Sequence, residues 1–371
     1  MIKILFPLLL LGSFTLIHYL AYKVGSRLLF EHPRSRQVAR IILGFNLLCV
    51  LGYLLSRYFI TTPPALYFIF SLSIGLGFIL LVTLLLWLLF TPLLFLPLKP
   101  SRRLALKKSL GYASGLFLTG YSTASLIEGR LPPEVVKLSL KLPRLPQSFR
   151  AIQLSDLHIG GLIEEHYMEA LGERINALKP DMIFLTGDIT DASCEQIRTP
   201  LEKLKALQAP LGIYFVSGNH EFFHGIQKTM DFLREMGIVV LENDSRTIEG
   251  LVNIAGVHDL FGRRIGFLEP DLEQALQGID PSLPTILLAH QPKFAKEALG
   301  YPVDLILSGH THGGQIAPFG LLVRLDQTYL QGLYELSPQT RLYVNPGTGF
   351  WGPPMRFLSR AEITLFEFTP S

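Results

Sequence analysis

Ala151-Ile152-Gln153-Leu154-Ser155-Asp156-Leu157-His158 and Val303-Asp304-Leu305-Ile306-Leu307-Ser308-Gly309-His310-Thr311-His312-Gly313 share one construction. A short apolar run with the length and composition of a buried strand stops abruptly in residues that bind metals. Three more segments repeat it. Residues 182–185 lead into Thr186, Gly187, Asp188, Ile189, Thr190 and Asp191. Residues 213–216 lead into Ser217, Gly218, Asn219, His220 and Glu221, and residues 285–288 into Ala289, His290 and Gln291. Between the first two runs, Tyr167, Leu171, Ile175 and Leu178 recur at helical spacing, which predicts a helix over 164–178. Strands alternating with helices imply an α/β fold with much parallel pairing. Sites in such sheets form at the carboxyl ends of the strands, so the five clusters are expected to converge.

The chemistry of the clusters is specific. Asp156, His158, Asp188, Asn219, His290, His310 and His312 offer seven oxygen and nitrogen ligands. One ion takes four to six, so seven with one bridging carboxylate suits two divalent ions. Mixed imidazole and carboxylate favours Mn, Fe, Zn or Ni, and the lack of cysteine ligands argues against a structural zinc. Residues two apart on an extended segment project to one side, which would let Asp156 and His158, and His310 and His312, reach one site. Gly187, Gly218 and Gly309 are expected to let the backbone turn tightly beside the ions. Two metals about 3.5–4 Å apart generate a bridging hydroxide at neutral pH and clamp a phosphoryl group. His220, next to a candidate ligand, is the expected general acid or transition-state stabiliser. Asp188 is counted as both ligand and catalytic residue. Eight of the ten histidines follow residue 130, and five of those sit in the clusters.

At these residues the chain resembles the calcineurin-like metallophosphoesterase family over about 151–315. Its pattern is Asp-x-His, Gly-Asp-x-x-Asp, Gly-Asn-His-Glu/Asp, His and Gly-His-x-His. Ser155-Asp156-Leu157-His158, Gly309-His310-Thr311-His312-Gly313-Gly314-Gln315 and the tail around Gly349, Trp351, Gly352, Pro353, Pro354 and Arg356 are most similar to its membrane-associated branch. The resemblance implies a four-layer α/β/β/α sandwich. It implies Asp156, His158 and His312 on one metal, Asn219, His290 and His310 on the other, and Asp188 bridging. His224 and His258 match no invariant position and read as loop or surface histidines, with a substrate-facing role as the alternative. Arg356 reads equally as a phosphate fork and as half of a salt bridge.

The first third of the chain is of another kind. Hydrophobic residues make up 49% and charged residues 17% of the 371, and mean hydropathy is +0.36, values that lean toward a membrane protein. Residues 1–130 hold thirteen Lys/Arg against Glu31 and Glu128, a balance of +11, whereas the remainder is acidic at −8. The basic charge therefore belongs to membrane loops and not to a nucleic-acid surface. Four apolar stretches, about 4–22, 41–60, 65–96 and 110–127, predict a bundle of about four transmembrane helices ahead of the sandwich. The first reads as a retained span, with a cleaved signal peptide as the alternative. The last contains Gly111, Gly115 and Gly120 and reads either as a span or as an amphipathic or buried helix.

Basic loops at Lys23–Arg40 and Lys99–Lys108 stay cytoplasmic, which puts the N-terminus and everything after residue 130 outside. Ser101-Arg102-Arg103-Leu104-Ala105-Leu106-Lys107 looks like a twin-arginine export signal, although paired arginines also occur in ordinary loops. The expected division is a membrane domain at 1–130, a proline-rich linker with a first strand at 131–150, and a catalytic domain at 151–371. Cys49 and Cys194 are expected not to pair.

The expected function is phosphoester or pyrophosphate hydrolysis on a membrane-associated substrate, lipid or lipid-linked, in an inner membrane. Two alternatives stand beside it. One is a UDP-2,3-diacylglucosamine-type pyrophosphohydrolase of lipid A synthesis, known from relatives and cytoplasmic. The other is a membrane sensor using the fold as a binding module, against which the intact set of seven ligands speaks.

Overall fold

The computed structural model describes residues 2–28, 32–60, 62–248 and 250–371. They divide into two compact units: 1–130 with Gly352–Phe357, and Leu131–Trp351 with Leu358–Ser371.

The first unit is helical: α1 (Ile2–Leu28), α2 (Pro33–Tyr58), α3 (Pro64–Phe90) and α4 (Pro100–Arg130). Proline opens α2 and α3 at a first-turn position, where its missing N–H costs nothing. Among the described residues, three helices are long and apolar enough to cross a membrane, over Leu5–Ser26, Pro33–Tyr58 and Pro64–Phe95. The weaker stretch at 110–127 is helical too, but it continues without a break from the basic segment at its start. Large side chains such as Leu9, Ile41, Phe45 and Leu89 face outward, as lipid requires. Polar groups turn inward and pair: His18 Nε2 meets Asn46 Oδ1 at 2.8 Å, and its Nδ1 meets the Phe14 carbonyl at 2.7 Å. The short segment Gly352–Phe357 is part of this unit. The Arg356 N–H donates to the Ser125 carbonyl at 2.8 Å, and Phe357 packs on Tyr121 with ring centroids 4.5 Å apart. Gly129 permits this approach, because a Cβ there would lie 2.5 Å from the Pro354 carbonyl oxygen. Arg356 is fully buried in this unit.

The second unit is two six-stranded sheets. In chain order the strands are β1 (Glu134–Leu142), β2 (Phe149–Leu154), β3 (Met182–Thr186), β4 (Ile213–Val216), β5 (Val239–Val240), β6 (Asp244–Ile248), β7 (Val252–Gly256), β8 (Thr285–Leu288), β9 (Leu305–Ser308), β10 (Gly332–Glu335), β11 (Arg341–Val344) and β12 (Glu362–Pro370). The sheet orders are β1-β12-β2-β3-β4-β5 and β10-β11-β9-β8-β7-β6. Pairing is parallel through β2-β3-β4-β5 and β7-β8-β9-β11, and β12 runs antiparallel to β2.

Side-chain alternation makes four layers. Phe184, Tyr214, Phe366 and Phe368 of one sheet meet Ile254, Ile286, Leu305 and Leu307 of the other in a single core. On the opposite faces, Ile183, Leu185 and Phe215 pack under the helices Glu165–Ala177 and Ile226–Glu235. Leu287 and Ile306 pack under Phe294 and Ala298. The expected α/β/β/α sandwich is therefore present, and the predicted helix over 164–178 spans Glu165–Ala177. Central strands buried on both faces must read as unbroken apolar runs, which is why they stand out in the sequence. Gln153 is a buried polar exception on β2. Its Nε2 donates to Thr186 Oγ1 and across the sandwich to the Ser308 carbonyl, both at 2.9 Å, tying the sheets together just below the strand ends. Cys49 and Cys194 are both buried and unpaired, as expected.

Candidate metal centre

All five clusters leave the carboxyl ends of their strands and meet above the sheets. Asp156, His158 and His312 bring one ligand atom each within 4.8 Å of the others; so do Asp188, His290 and His310. The Nε2 atoms of His158 and His312 lie 3.0 Å apart. Asp156 Oδ1 is 3.4 Å from His312 Nε2 and 4.0 Å from His158 Nε2. In the second group His290 Nε2 is 3.2 Å from Asp188 Oδ2. Asp188 Oδ2 is also 4.0 Å from His158 Nε2, so this carboxylate stands between the groups.

The backbone aims these side chains by a route the spacing does not suggest. Asp156 (φ 53°), His158 (φ 50°), Asp188 (φ 52°), His310 (φ 69°) and His312 (φ 50°) are all left-handed. Asp156 and His158, and His310 and His312, therefore do not converge by strand alternation as expected: both pairs lie beyond their strands, and left-handed backbone at each residue directs them. Left-handed non-glycine residues carry strain that persists where the surroundings enforce it, typically at functional sites. The glycines also divide. Gly187 has φ 87° and makes the tight turn expected of it. Gly218 and Gly309 serve close approach: a Cβ would fall 2.2 Å from Asp188 Oδ1 at the first, and 1.7 Å from Ser155 Oγ at the second.

Three observations test whether these residues suit metal ions. Asn219 Oδ1 is buried without a hydrogen-bond partner among the described residues, and the buried His290 Nε2 is turned to the Asp188 carboxylate. Two nitrogens each about 2.1 Å from one ion at a right angle would lie about 3.0 Å apart, matching the His158–His312 separation. The site also calls for positive charge. Burial opposes ionisation of His290, yet Asp188, Asp156 and Asp259 outweigh it and hold the imidazolium well above the ordinary histidine range. Burial likewise opposes the Asp188 carboxylate, but His290 and His220 hold it well below the usual range. Burial, then the His290 charge, pushes His310 down to about 3, so its imidazole is neutral. The His290 Nδ1 lies 2.7 Å from the Thr186 carbonyl, which fixes Nδ1–H as donor and turns Nε2 toward Asp188. The residues fit a metal pair.

Two carboxylates outside the expected ligand set also take part in the site. Asp191 Oδ1 lies 2.7 Å from His220 Nδ1 and 3.6 Å from His158 Nδ1. It closes a third group, His158, Asp191 and His220. Glu221 is fully buried and accepts four backbone N–H bonds, from Gly218, Asp188, Ile189 and Thr190, at 2.7–3.0 Å. It thus clamps the Asp188 turn to the Asn219–His220 turn. Their signal was present as the last members of Gly187-Asp188-Ile189-Thr190-Asp191 and Gly218-Asn219-His220-Glu221, but their partners are distant in sequence. His220 Nε2 is 3.9 Å from Asp188 Oδ2, and the Trp351 ring stands edge-on to His220 at 5.9 Å. His224 lies beside this group, with Nε2 3.8 Å from Asp191 Oδ1. His258 is a loop residue but buried, not on the surface.

Buried and half-buried Asp, Asn and His side chains gathered at the strand ends of a two-sheet sandwich define a metal-dependent hydrolase site. The pattern of the calcineurin-like phosphoesterases matches residues 149–314. An uncharacterized metallophosphoesterase of Helicobacter pylori is 40% identical over 271 residues, 73% of either chain. A transmembrane protein with metallophosphoesterase domain from Danio rerio is 37% identical over 253 residues, 64% of this chain and 58% of that one. An uncharacterized metallophosphoesterase of Bacillus subtilis is 34% identical over 287 residues, 72% of this chain and 97% of its own. The chain belongs to the calcineurin-like phosphoesterase family and is a phosphoester hydrolase.

Proposed function

We propose that Asp156, His158 and His312 hold one divalent ion, that Asn219, His290 and His310 hold a second, and that Asp188 serves both. The observation that carries this reading is the pairing of two three-ligand groups around one carboxylate, with Asn219 Oδ1 buried and unpartnered on the Gly218–His220 segment that abuts Asp188. A bound pair supplies Lewis acidity, acidifying water and neutralising phosphoryl oxygens. Mn, Fe, Zn and Ni all suit the donor set. His220 is the proton donor to the leaving oxygen. Asp191, at 2.7 Å, holds Nδ1–H and keeps Nε2 turned toward the reacting group. Glu221 keeps the Asp188 and Asn219 turns in register.

The substrate in this reading is a phosphoester at a membrane, because the same chain carries three helices able to cross one. Residues 1–130 then act as a multi-pass anchor. α4 has no charged residue between Lys108 and Glu128, and that uncharged length is close to the roughly 20 residues a bilayer needs. With α4 as fourth crossing, the basic loops remain cytoplasmic and the catalytic domain lies outside. The three-helix count favours a second reading, in which α4 stays inside and the domain is cytoplasmic, as lipid A pyrophosphohydrolysis would need. Protease treatment of intact spheroplasts separates them: cleavage within 131–371 supports the first, protection the second.

The activity test uses the full chain, because Gly352–Phe357 belongs to the helical unit and an excised domain would lose its surroundings. Bis-p-nitrophenyl phosphate is assayed with added Mn²⁺, and metal content is measured alongside. Metal-dependent turnover that disappears in Asp188→Ala, with loss of bound metal, is the expected result. Equal turnover in the variant would remove Asp188 from the site.

A further inference from the structure

The loop that carries His310 and His312 runs directly into a surface feature the reaction does not explain. Phe319 and the helix Gly320–Gln327 present Phe319, Leu321, Leu322 and Leu325 at 44%, 68%, 60% and 84% exposure. Positions 321, 322 and 325 share one helical face, so the leucines form a continuous outward stripe. Arg324 is exposed among them, and Asp326 at the edge is paired with Lys293 at 3.1 Å. Scattered apolar side chains are ordinary on a surface, but four within seven residues facing water are not.

The opposite face of this helix is anchored. A Cβ at Gly314 would fall 2.3 Å from the Cα of Gly320, so the helix start is pressed against the loop two residues beyond His312. At its end, Gln327 is 2% exposed and its Nε2 donates to Gln291 Oε1 at 3.2 Å, beside His290. Both ends are thus fastened to segments carrying candidate ligands, while the leucine face has nothing over it among the described residues.

We propose that this face is a bilayer-seating surface, with Phe319 and the three leucines inserted among the lipids of the membrane the chain itself crosses. Three features of the chain select lipid. The three membrane-crossing helices keep a bilayer within reach of the second unit at high effective concentration. An apolar stripe with a cationic residue at its margin and its acid neutralised is the pattern of a helix lying in the interface plane. A stripe built on Leu321, Leu322 and Leu325 suits hydrocarbon better than a protein interface, where leucine is under-represented among the anchoring residues.

The test places a nitrobenzoxadiazole label at Leu325→Cys, and separately at Leu321→Cys, in the full chain in phosphatidylcholine–phosphatidylglycerol nanodiscs. Cys49 and Cys194 are buried, so the label goes to the introduced thiol. Lys205→Cys, at a side chain 51% exposed, is the water-facing control. Doxyl-labelled lipid is expected to quench positions 321 and 325 at least about twofold more than position 205, and aqueous iodide to show the reverse order. Iodide quenching at 321 and 325 equal to that at 205 would overturn the proposal. So would protection of both from lipid and iodide together, the signature of a protein partner or second copy. The readout does not involve turnover, so an inactive preparation leaves it intact.

Discussion

Asp191 and His220 form a 2.7 Å contact between a carboxylate oxygen and Nδ1 inside a site where the imidazole's other nitrogen faces Asp188. A carboxylate at Nδ1 fixes the tautomer and steadies the protonated ring. Asp191→Asn keeps the shape but lets the amide present its donor to the ring. Turnover is expected to fall about 10²-fold with KM little changed. The loss should be larger for an alkyl phosphoester than for a p-nitrophenyl ester, whose leaving group needs no proton. Steady-state kinetics on both substrates check this, and equal losses on the two would remove His220 as acid.

Gly309 stands where a methyl group would meet Ser155 Oγ and, at 2.4 Å, Asp156 Oδ2. Ser155 Oγ donates to Asp156 at 2.6 Å, and the His310 N–H donates to the same carboxylate. Gly309→Ala therefore displaces Asp156 without removing a ligand. We expect weaker metal retention and at least about a tenfold loss of turnover. Metal content after dialysis is the check: full retention with full activity would show that the loop gives way at no cost.

His258 supplies a pH dependence apart from the candidate ligands. It is 4% exposed, and burial pushes its imidazole down to about 4, with Asp244 opposing and Arg234 reinforcing. The folded value lies below the unfolded value of about 6.5, so the unfolded chain takes the proton first. This contribution to stability is therefore lost as pH falls from about 6.5 to about 4, and reaches at most about 3 kcal/mol. His258→Gln lacks that titration. Its melting temperature should fall less than that of the native chain between pH 7.5 and pH 5. Parallel declines would mean that His258 is already charged when folded.

The ligand types, their order and the strand ends on which they sit are legible from local sequence. Buried strands need unbroken apolar runs, and metal chemistry needs carboxylate and imidazole, so both are written locally at 151–158, 182–188, 213–220, 285–290 and 303–312. The apolar helices were legible for the same reason: hydrocarbon admits few polar residues. Tertiary structure alone decided the rest. Asp and His tolerate the left-handed backbone seen at Asp156, His158, Asp188, His310 and His312 better than most residues, but only the surroundings impose it, as the Glu221 clamp does at Asp188. β1 pairs with β12 across most of the second unit's length, and Gln153 reaches Ser308 in the other sheet. Gly352–Phe357 leaves the C-terminal half to join the helices. These are choices among distant partners. A local pattern states what a segment can bury or bind, and packing selects which remote segment it meets.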